Sequence, residues 1–310
     1  MLRLLIAASD DDIAEFSDPI RAACAAAGLA VDLSPGHPEA AADYIIFAPS
    51  GRIPDFARAT GVRAVLSLWA GVERIIGLPG LTQPLARMVA PGMTAAMVEY
   101  VTGHVLRHHL GIDIDIRRRP GDWSPRAVRP AAHRPVTVLG QGELGRAAAL
   151  ALAALGFLVT GWSRTPRPHP ALAQSLHGPE GLGAALRDAE IIVTLLPRTP
   201  QTENILNATT LSLPARGAVI INPGRGALID EEALLAALAD GRIGHATLDV
   251  FRREPLPGDH PFWHHPQITV TPHIAASTPT GDAARLIAEN IRRSEAGLPL
   301  LHAADPARGY

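Results

Sequence analysis

The ten residues Val136-Thr-Val-Leu-Gly-Gln-Gly-Glu-Leu-Gly145 decide the fold. A short, largely β-branched run passes directly into Gly140-x-Gly142-x-x-Gly145 and then into a helical stretch, Leu144–Leu155. The strand–turn–helix order is what makes the glycine spacing informative. Gly140 permits the tight turn, Gly142 lets a pyrophosphate approach the backbone, and Gly145 lets helix and strand pack closely. The amides of Glu143 and Leu144 then point at the phosphates from the helix N-terminus. A dinucleotide-binding βαβ unit is the reading.

Working outward, apolar runs recur at Phe157–Gly161, Ile191–Leu195, Ala218–Ile221, Ala246–Val250 and Ile268–Thr271, with helices such as Glu231–Leu238 between them. Upstream lies a second series of strands: Leu2–Ala8, Leu29–Leu33, Tyr44–Ala48 and Val62–Trp69. A helix over Phe16–Ala27 falls between two of them, closed by Gly28. The alternation predicts two α/β domains, each on a parallel sheet. One long helix, from about Thr94 to Ile116, joins them and stops at Arg117-Arg-Arg119-Pro120. The arginines suit a solvated helix end better than a nucleic-acid patch. Asp282–Ala296 is an amphipathic helix with no strand after it. Its return to the first domain predicts a discontinuous substrate-binding domain, residues 1–95 and 281–310, around a cofactor domain, 96–280.

Three charged or titratable residues sit just past apolar runs of the second series: Arg225, Glu254 and His273. In an open parallel sheet the C-terminal strand ends form the ligand-binding edge. A fixed cation, a carboxylate and an imidazole gathered there suit the orientation and protonation of a small anionic carbonyl compound. Imidazolium donates the proton an alkoxide needs, and a carboxylate on its other ring nitrogen favours that charged form. Paired His108-His109 in the long helix and His264-His265 in a loop make poor chelates, and neither HExxH nor CxxC occurs. No metal is expected.

An NAD site usually carries an acid ~20 residues past the glycine motif. Here that position falls in Gly161-Trp-Ser-Arg-Thr165, and no Asp or Glu occurs between Glu143 and Glu180. Ser163, Arg164, Thr165 and Arg167 instead offer hydroxyls and guanidinium groups, which pair with a phosphate. NADP (NADPH) is therefore the expected cofactor, with NAD a weaker one.

The chain has 310 residues, 47% apolar and 19% charged, with a formal net charge of −2. Such a balance gives no global field for nucleic acid or a membrane surface. The single cysteine, Cys24, has no internal partner, which favours a reducing, cytoplasmic setting. Leu2–Ala8 is too short for a secretory or membrane segment and runs into Asp10-Asp-Asp12.

Several segments, taken together, resemble the D-2-hydroxyacid dehydrogenases, and within them the bacterial glyoxylate/hydroxypyruvate reductases of the A type. They are Leu68-Trp-Ala-Gly-Val72, Val138–Gly145, Trp162–Thr165, Leu195–Thr202, Asn222-Pro-Gly-Arg-Gly226, Leu248–Phe251, Glu254–Pro257 and Thr271–Ala276, with Ala307-Arg-Gly-Tyr310 at the end. The resemblance implies a Rossmann cofactor domain and a flavodoxin-like substrate domain. It implies that Arg225 binds the substrate carboxylate and carbonyl, that His273 is the acid/base, and that Glu254 tunes it. It further implies that Ala70 and Gly71 amides hold the carboxylate beside Trp69. Asp249 would contact the nicotinamide carboxamide, and Leu196-Pro197 would pass beside the cofactor. A small 2-keto acid, glyoxylate or hydroxypyruvate, is the implied substrate. A homodimer is the implied assembly, with the long helix and the Trp123 segment at its interface. Pro223-Gly224 departs from the family's less turn-prone pair, and Glu73 from its commoner Asp. Formate-oxidising relatives place Gln where Glu254 stands. A non-catalytic dinucleotide sensor is the alternative, which the full Arg/Glu/His set disfavours.

Overall fold

Strands of a parallel sheet covered on both faces are apolar along their whole length. In the computed structural model, which describes residues 1–305, Tyr44–Phe47, Ala64–Ser67 and Ile191–Thr194 are buried at every position. The chain forms two units, Met1–Met93 with the segment from Thr278 onward, and Thr94–Ser277. The A-type ending at Ala307–Tyr310 lies outside the described residues.

The first unit has a five-stranded parallel sheet, ordered β2-β1-β3-β4-β5. Its strands are β1 (Leu2–Ala7), β2 (Val31–Ser34), β3 (Tyr44–Phe47), β4 (Ala64–Ser67) and the short β5 (Leu85–Ala86). Helix α1 (Asp10–Ala26) packs against the last helix, α7 (Thr280–Glu295). Helix α1 begins well before the expected Phe16. The Ser9 side chain accepts from the Asp12 amide, and Asp10, Asp11 and Asp12 fill the first turn. A capping hydroxyl followed by acids at the positive end of the dipole extends the helix to Asp10, ahead of its apolar stripe.

The second unit opens with α2 (Pro91–Leu110), whose first residues belong to the first unit, and α3 (Ile112–Ile116). One long helix was expected here; the structure breaks it at Gly111, whose φ of 66° is left-handed. That conformation favours glycine and ends a helix. The seven-stranded parallel sheet runs β12-β11-β10-β9-β6-β7-β8. Its strands are β6 (Pro135–Leu139), β7 (Leu158–Ser163), β8 (Gln174–His177), β9 (Ile191–Thr194), β10 (Ala218–Asn222), β11 (Ile243–Leu248) and β12 (Ile268–Val270). Helices α4 (Glu143–Ala154), α5 (Gly178–Leu186) and α6 (Glu231–Ala239) connect them. β8 and α5 are absent from the sequence reading. Gln-Ser-Leu-His at a sheet edge offers no apolar run to detect.

The chain lays down β6, β7 and β8 in one direction, then returns to the far side of β6 with β9. The crevice between β6 and β9 is the switch point at which such sheets bind ligands. Val101 and Val105 of α2 join Val136, Val138 and Leu152 in the core on one face. Leu206, Leu228, Leu234 and Leu248 lie in the core on the other.

Candidate active site

The glycine loop occupies the switch point. Gly140 has φ 109°, and a Cβ there would lie 2.3 Å from the Leu195 carbonyl oxygen at the end of β9. At Gly145 a Cβ would come within 2.0 Å of the Gly140 carbonyl oxygen. Both glycines are thus required by backbone approach. Gly142 differs, because a Cβ there meets nothing within 4 Å. It caps α4 without a side-chain hydrogen bond, leaving the amides at Glu143 and Leu144 for a ligand on the open side. Gln141 turns inward, donating to the Val138 and Gly140 carbonyls. A pyrophosphate fits this cradle. Beyond β9, Leu196 is buried, and the Thr202 hydroxyl donates to the Pro197 carbonyl at 2.6 Å.

At the end of β7 the Ser163 hydroxyl donates to the Thr165 carbonyl at 2.9 Å, bracing the turn. Arg164, Thr165 and Arg167 are exposed beyond it. The turn therefore presents its basic groups outward while its one buried hydroxyl is used internally.

The loops after β10 and β11 touch through a missing side chain. At Gly226 a Cβ would fall 2.0 Å from the Phe251 carbonyl carbon, so only glycine allows Arg225 and Glu254 to be carried on neighbouring loops. Asn222, unassigned in the sequence reading, braces the first of these. Its Oδ1 accepts from the Thr194 hydroxyl at 2.6 Å and the Gly224 amide at 3.1 Å, and its Nδ2 donates to the Arg225 carbonyl at 3.0 Å. Arg225 is half-buried, with Nη1 donating to the Gly224 carbonyl at 2.7 Å. The unusual Pro223-Gly224 pair has a local reason. A Cβ at Gly224 would stand 2.7 Å from the Thr194 carbonyl oxygen.

His273 and Glu254 meet. His273 Nδ1 lies 2.7 Å from Glu254 Oε2, while Glu254 Oε1 accepts the Phe251 amide at 2.8 Å. The hydrogen bond to Glu254 raises the His273 pKa above the usual imidazole value, outweighing burial; the charges of Glu254 and Asp249 add to the rise and Arg225 opposes it. Burial pushes the Glu254 carboxyl up, but hydrogen bonds from His273 and the Phe251 amide bring it below the usual carboxylate range. With Nδ1 engaged and 58% of the side chain exposed, Nε2 is the ring atom left to face a reactant. His273 also has φ 54°, a left-handed conformation that costs a non-glycine residue roughly 1–2 kcal/mol.

The Asp249 carboxylate is held by its own unit. The residue is fully buried, and its carboxylate is already engaged by the Thr271 hydroxyl at 2.6 Å and the Ile274 and Ala275 amides, both at 2.9 Å. Any contact with a carboxamide would share an oxygen with these donors. In the first unit, Trp69 follows β4 and is half-buried. Its carbonyl accepts from the Ser67 hydroxyl at 2.8 Å and the Met88 amide at 3.1 Å, and the Arg74 guanidinium lies 5.8 Å from the ring centre. Ala70 and Gly71 continue that loop, partly exposed.

His108 sits inside the second unit with its Nε2 3.1 Å from the Thr247 hydroxyl, and His109 stands edge-on to Phe157. Among the described residues no cluster of His, Cys, Asp or Glu is arranged to hold a metal ion. Among the described residues no helix is long and apolar enough to cross a membrane.

Residues 103–275 match the family profile described as D-isomer specific 2-hydroxyacid dehydrogenase, NAD binding domain. The glyoxylate/hydroxypyruvate reductase A of Yersinia enterocolitica is 40% identical over 259 residues, covering 80% of this chain and 82% of that protein. The protein of that name from Serratia proteamaculans is 39% identical over 257 residues, at the same coverage. A D-isomer specific 2-hydroxyacid dehydrogenase of Xanthobacter autotrophicus Py2, solved with NADPH and MES, superposes with a TM-score of 0.91 at 39% identity, covering 99% of each chain. The NADPH-dependent glyoxylate/hydroxypyruvate reductase of Sinorhizobium meliloti, solved with NADP and sulfate, gives 0.87 at 35% identity over 100% of each chain.

Proposed function

The chain belongs to the D-isomer specific 2-hydroxyacid dehydrogenase family, and from that premise we propose that it reduces glyoxylate, hydroxypyruvate or a similarly short 2-keto acid with NADPH. The observation that carries the reading is the 2.7 Å His273–Glu254 hydrogen bond, on the sheet edge that also bears Arg225 and the dinucleotide loop. NADPH, when bound, supplies the hydride. The Arg225 guanidinium, planar and permanently charged, binds the carboxylate and polarises the adjacent carbonyl. His273 delivers the proton from Nε2 to the new alkoxide oxygen, and Glu254 holds the ring and its charge. Residues 94–277 supply the cofactor site, with Gly140, Gly142, Glu143, Leu144 and Gly145 at the pyrophosphate. Leu196 and Pro197 pass beside the cofactor. Arg164, Thr165 and Arg167 recognise the 2′-phosphate, and Ser163 braces the turn that carries them.

The test is a panel of 2-keto acids with NADPH and NADH. Short keto acids with NADPH should give the highest kcat/KM, and Arg164→Ala should raise the KM for NADPH far more than that for NADH. A parent enzyme that prefers NADH would end the NADP assignment, and phenylpyruvate matching glyoxylate would end the short-substrate one. No oxidation of NADPH by any member would favour the dinucleotide sensor.

We also propose a homodimer in the cytoplasm. Ile112, Ile114 and Ile116 in α3, with Trp123 beyond it, are 38%, 59%, 74% and 94% exposed, large apolar side chains of the kind that a partner covers. Light scattering should give twice the chain mass, and Trp123→Ser with Ile116→Ser should lower it. A monomeric parent would reject the assembly.

A further inference from the structure

His273 holds a left-handed backbone conformation, and something must keep it there. The turn around it is tied to one residue. The His273 amide donates to the Asp249 carbonyl at 2.9 Å and to the Thr271 carbonyl at 3.1 Å. The Ile274 and Ala275 amides each reach the Asp249 carboxylate, one to each oxygen. The third donor to that carboxylate is the Thr271 hydroxyl.

Thr271 has a single hydroxyl proton, and at 2.6 Å from Asp249 Oδ1 that proton is committed to the carboxylate. Tyr100 of α2 lies with its hydroxyl 2.8 Å from Thr271 Oγ1. Because the threonine proton is already given away, Tyr100 must be the donor in that contact. A directed chain results, from Tyr100 to Thr271 to Asp249. Burial raises the Tyr100 pKa, which keeps the phenol a donor across the working range. The ring is itself held, 4.5 Å from that of His104. The hydrogen bond of the His273 ring goes to Glu254, not to Tyr100 or Thr271. The charged groups that act on the ring are Glu254, Asp249 and Arg225.

We propose that Tyr100 and Thr271 are positioning residues, which fasten the Asp249 carboxylate around the 273–275 turn and so aim the His273 ring at Glu254. The inference rests on the proposed role of His273, but it concerns the ring's placement and is read without turnover. Removing the Thr271 hydroxyl leaves Asp249 Oδ1 one donor short and strips the Tyr100 phenol of its acceptor. The turn then loosens, the hydrogen bond between His273 Nδ1 and Glu254 lengthens, and the imidazolium loses support.

The experiment is an NMR titration of the His273 ring in the full ligand-free chain, assigned with His273→Gln. Thr271→Val should lower the His273 pKa by about 0.5–1 unit. Thr271→Ser, which restores the hydroxyl, should return it to the parent value. Tyr100→Phe should move it in the same direction by less, and it decides the matter if the valine variant does not fold. In steady-state assays the alkaline limb of kcat/KM should follow these shifts, with the KM for NADPH within about twofold of the parent. An unmoved His273 titration in the folded valine and phenylalanine variants overturns the proposal. So does a raised KM for NADPH with the titration unmoved, since Asp249 would then serve the cofactor. If the titration shifts while the parent reduces no keto acid, the positioning chain stands and the proposed function falls.

Discussion

Histidines of two kinds occur in the second unit, one at the end of the sheet and two in its body, with opposite properties. His273, past the end of β12, is hydrogen-bonded to Glu254, is largely exposed, and has a raised pKa. His245 on β11 and His108 on α2 lie in the body of the unit, their rings 4.9 Å apart. Each meets a threonine hydroxyl, His108 that of Thr247 and His245 that of Thr269 at 2.9 Å. Burial drives both down, with neighbouring positive charge adding, to about 3 for His108 and about 4 for His245. A hydroxyl can bond to neutral imidazole but cannot balance a charge; a carboxylate does both. The partner decides whether a histidine here can carry a proton or serves only as a packed polar ring.

The largest expected contrast is in activity. His273→Ala should lower kcat/KM for keto-acid reduction by about 10²–10⁴ at every pH, the cost of a missing general acid. His245→Gln should leave it within about twofold, since a neutral amide can keep the Thr269 contact. Comparable losses in both would erase the distinction.

Glu254→Gln tests the partner directly. Reduction needs protonated His273, so kcat/KM should fall as pH rises through its raised pKa. With the carboxylate neutralised that pKa drops, and the alkaline limb should move to lower pH while activity at low pH is largely kept. A limb that stays in place would remove Glu254 as the source of the shift.

The buried pair should show itself in acid stability. Its folded pKa values lie below the unfolded value near 6.5, so the unfolded state binds more protons in between. Stability from this pair is complete above about pH 6.5 and is lost as pH falls toward 4 and below. The melting temperature of the parent should fall over that interval, and His245→Gln should reduce the fall by on the order of 5 °C. Identical acid profiles would mean that the pair is not what titrates.

The smallest expected effect is from chelation. Two neighbouring imidazoles invite a zinc reading, but both Nε2 atoms are occupied by threonine hydroxyls. Exhaustive EDTA dialysis should change neither glyoxylate reduction nor the melting curve, and recovery on adding zinc would contradict this.

Whatever depends on neighbours in the chain was legible without coordinates. The strand–Gly140–helix turn is local, because the glycines relieve contacts within one loop and with the strand end beside it. The fully buried strands announce themselves as apolar runs, and Arg225, Glu254 and His273 follow strand ends by simple position. Elements without such a signature escaped. β8 is polar at an edge, and the break at Gly111 depends on a backbone angle that one glycine in a helical pattern does not reveal. In the site itself the His273–Glu254 pairing was expected, and the other pairings were decided by tertiary structure alone. Asp249 is an ordinary acid after a strand until three donors from 271–275 converge on it. Tyr100 is an unremarked helix residue until its hydroxyl meets Thr271, 171 positions away in sequence. Glycine spacing and apolar period follow from covalent geometry and burial, which act along the chain. A hydrogen bond between distant side chains depends on how helix and sheet pack, and no sequence spacing records that.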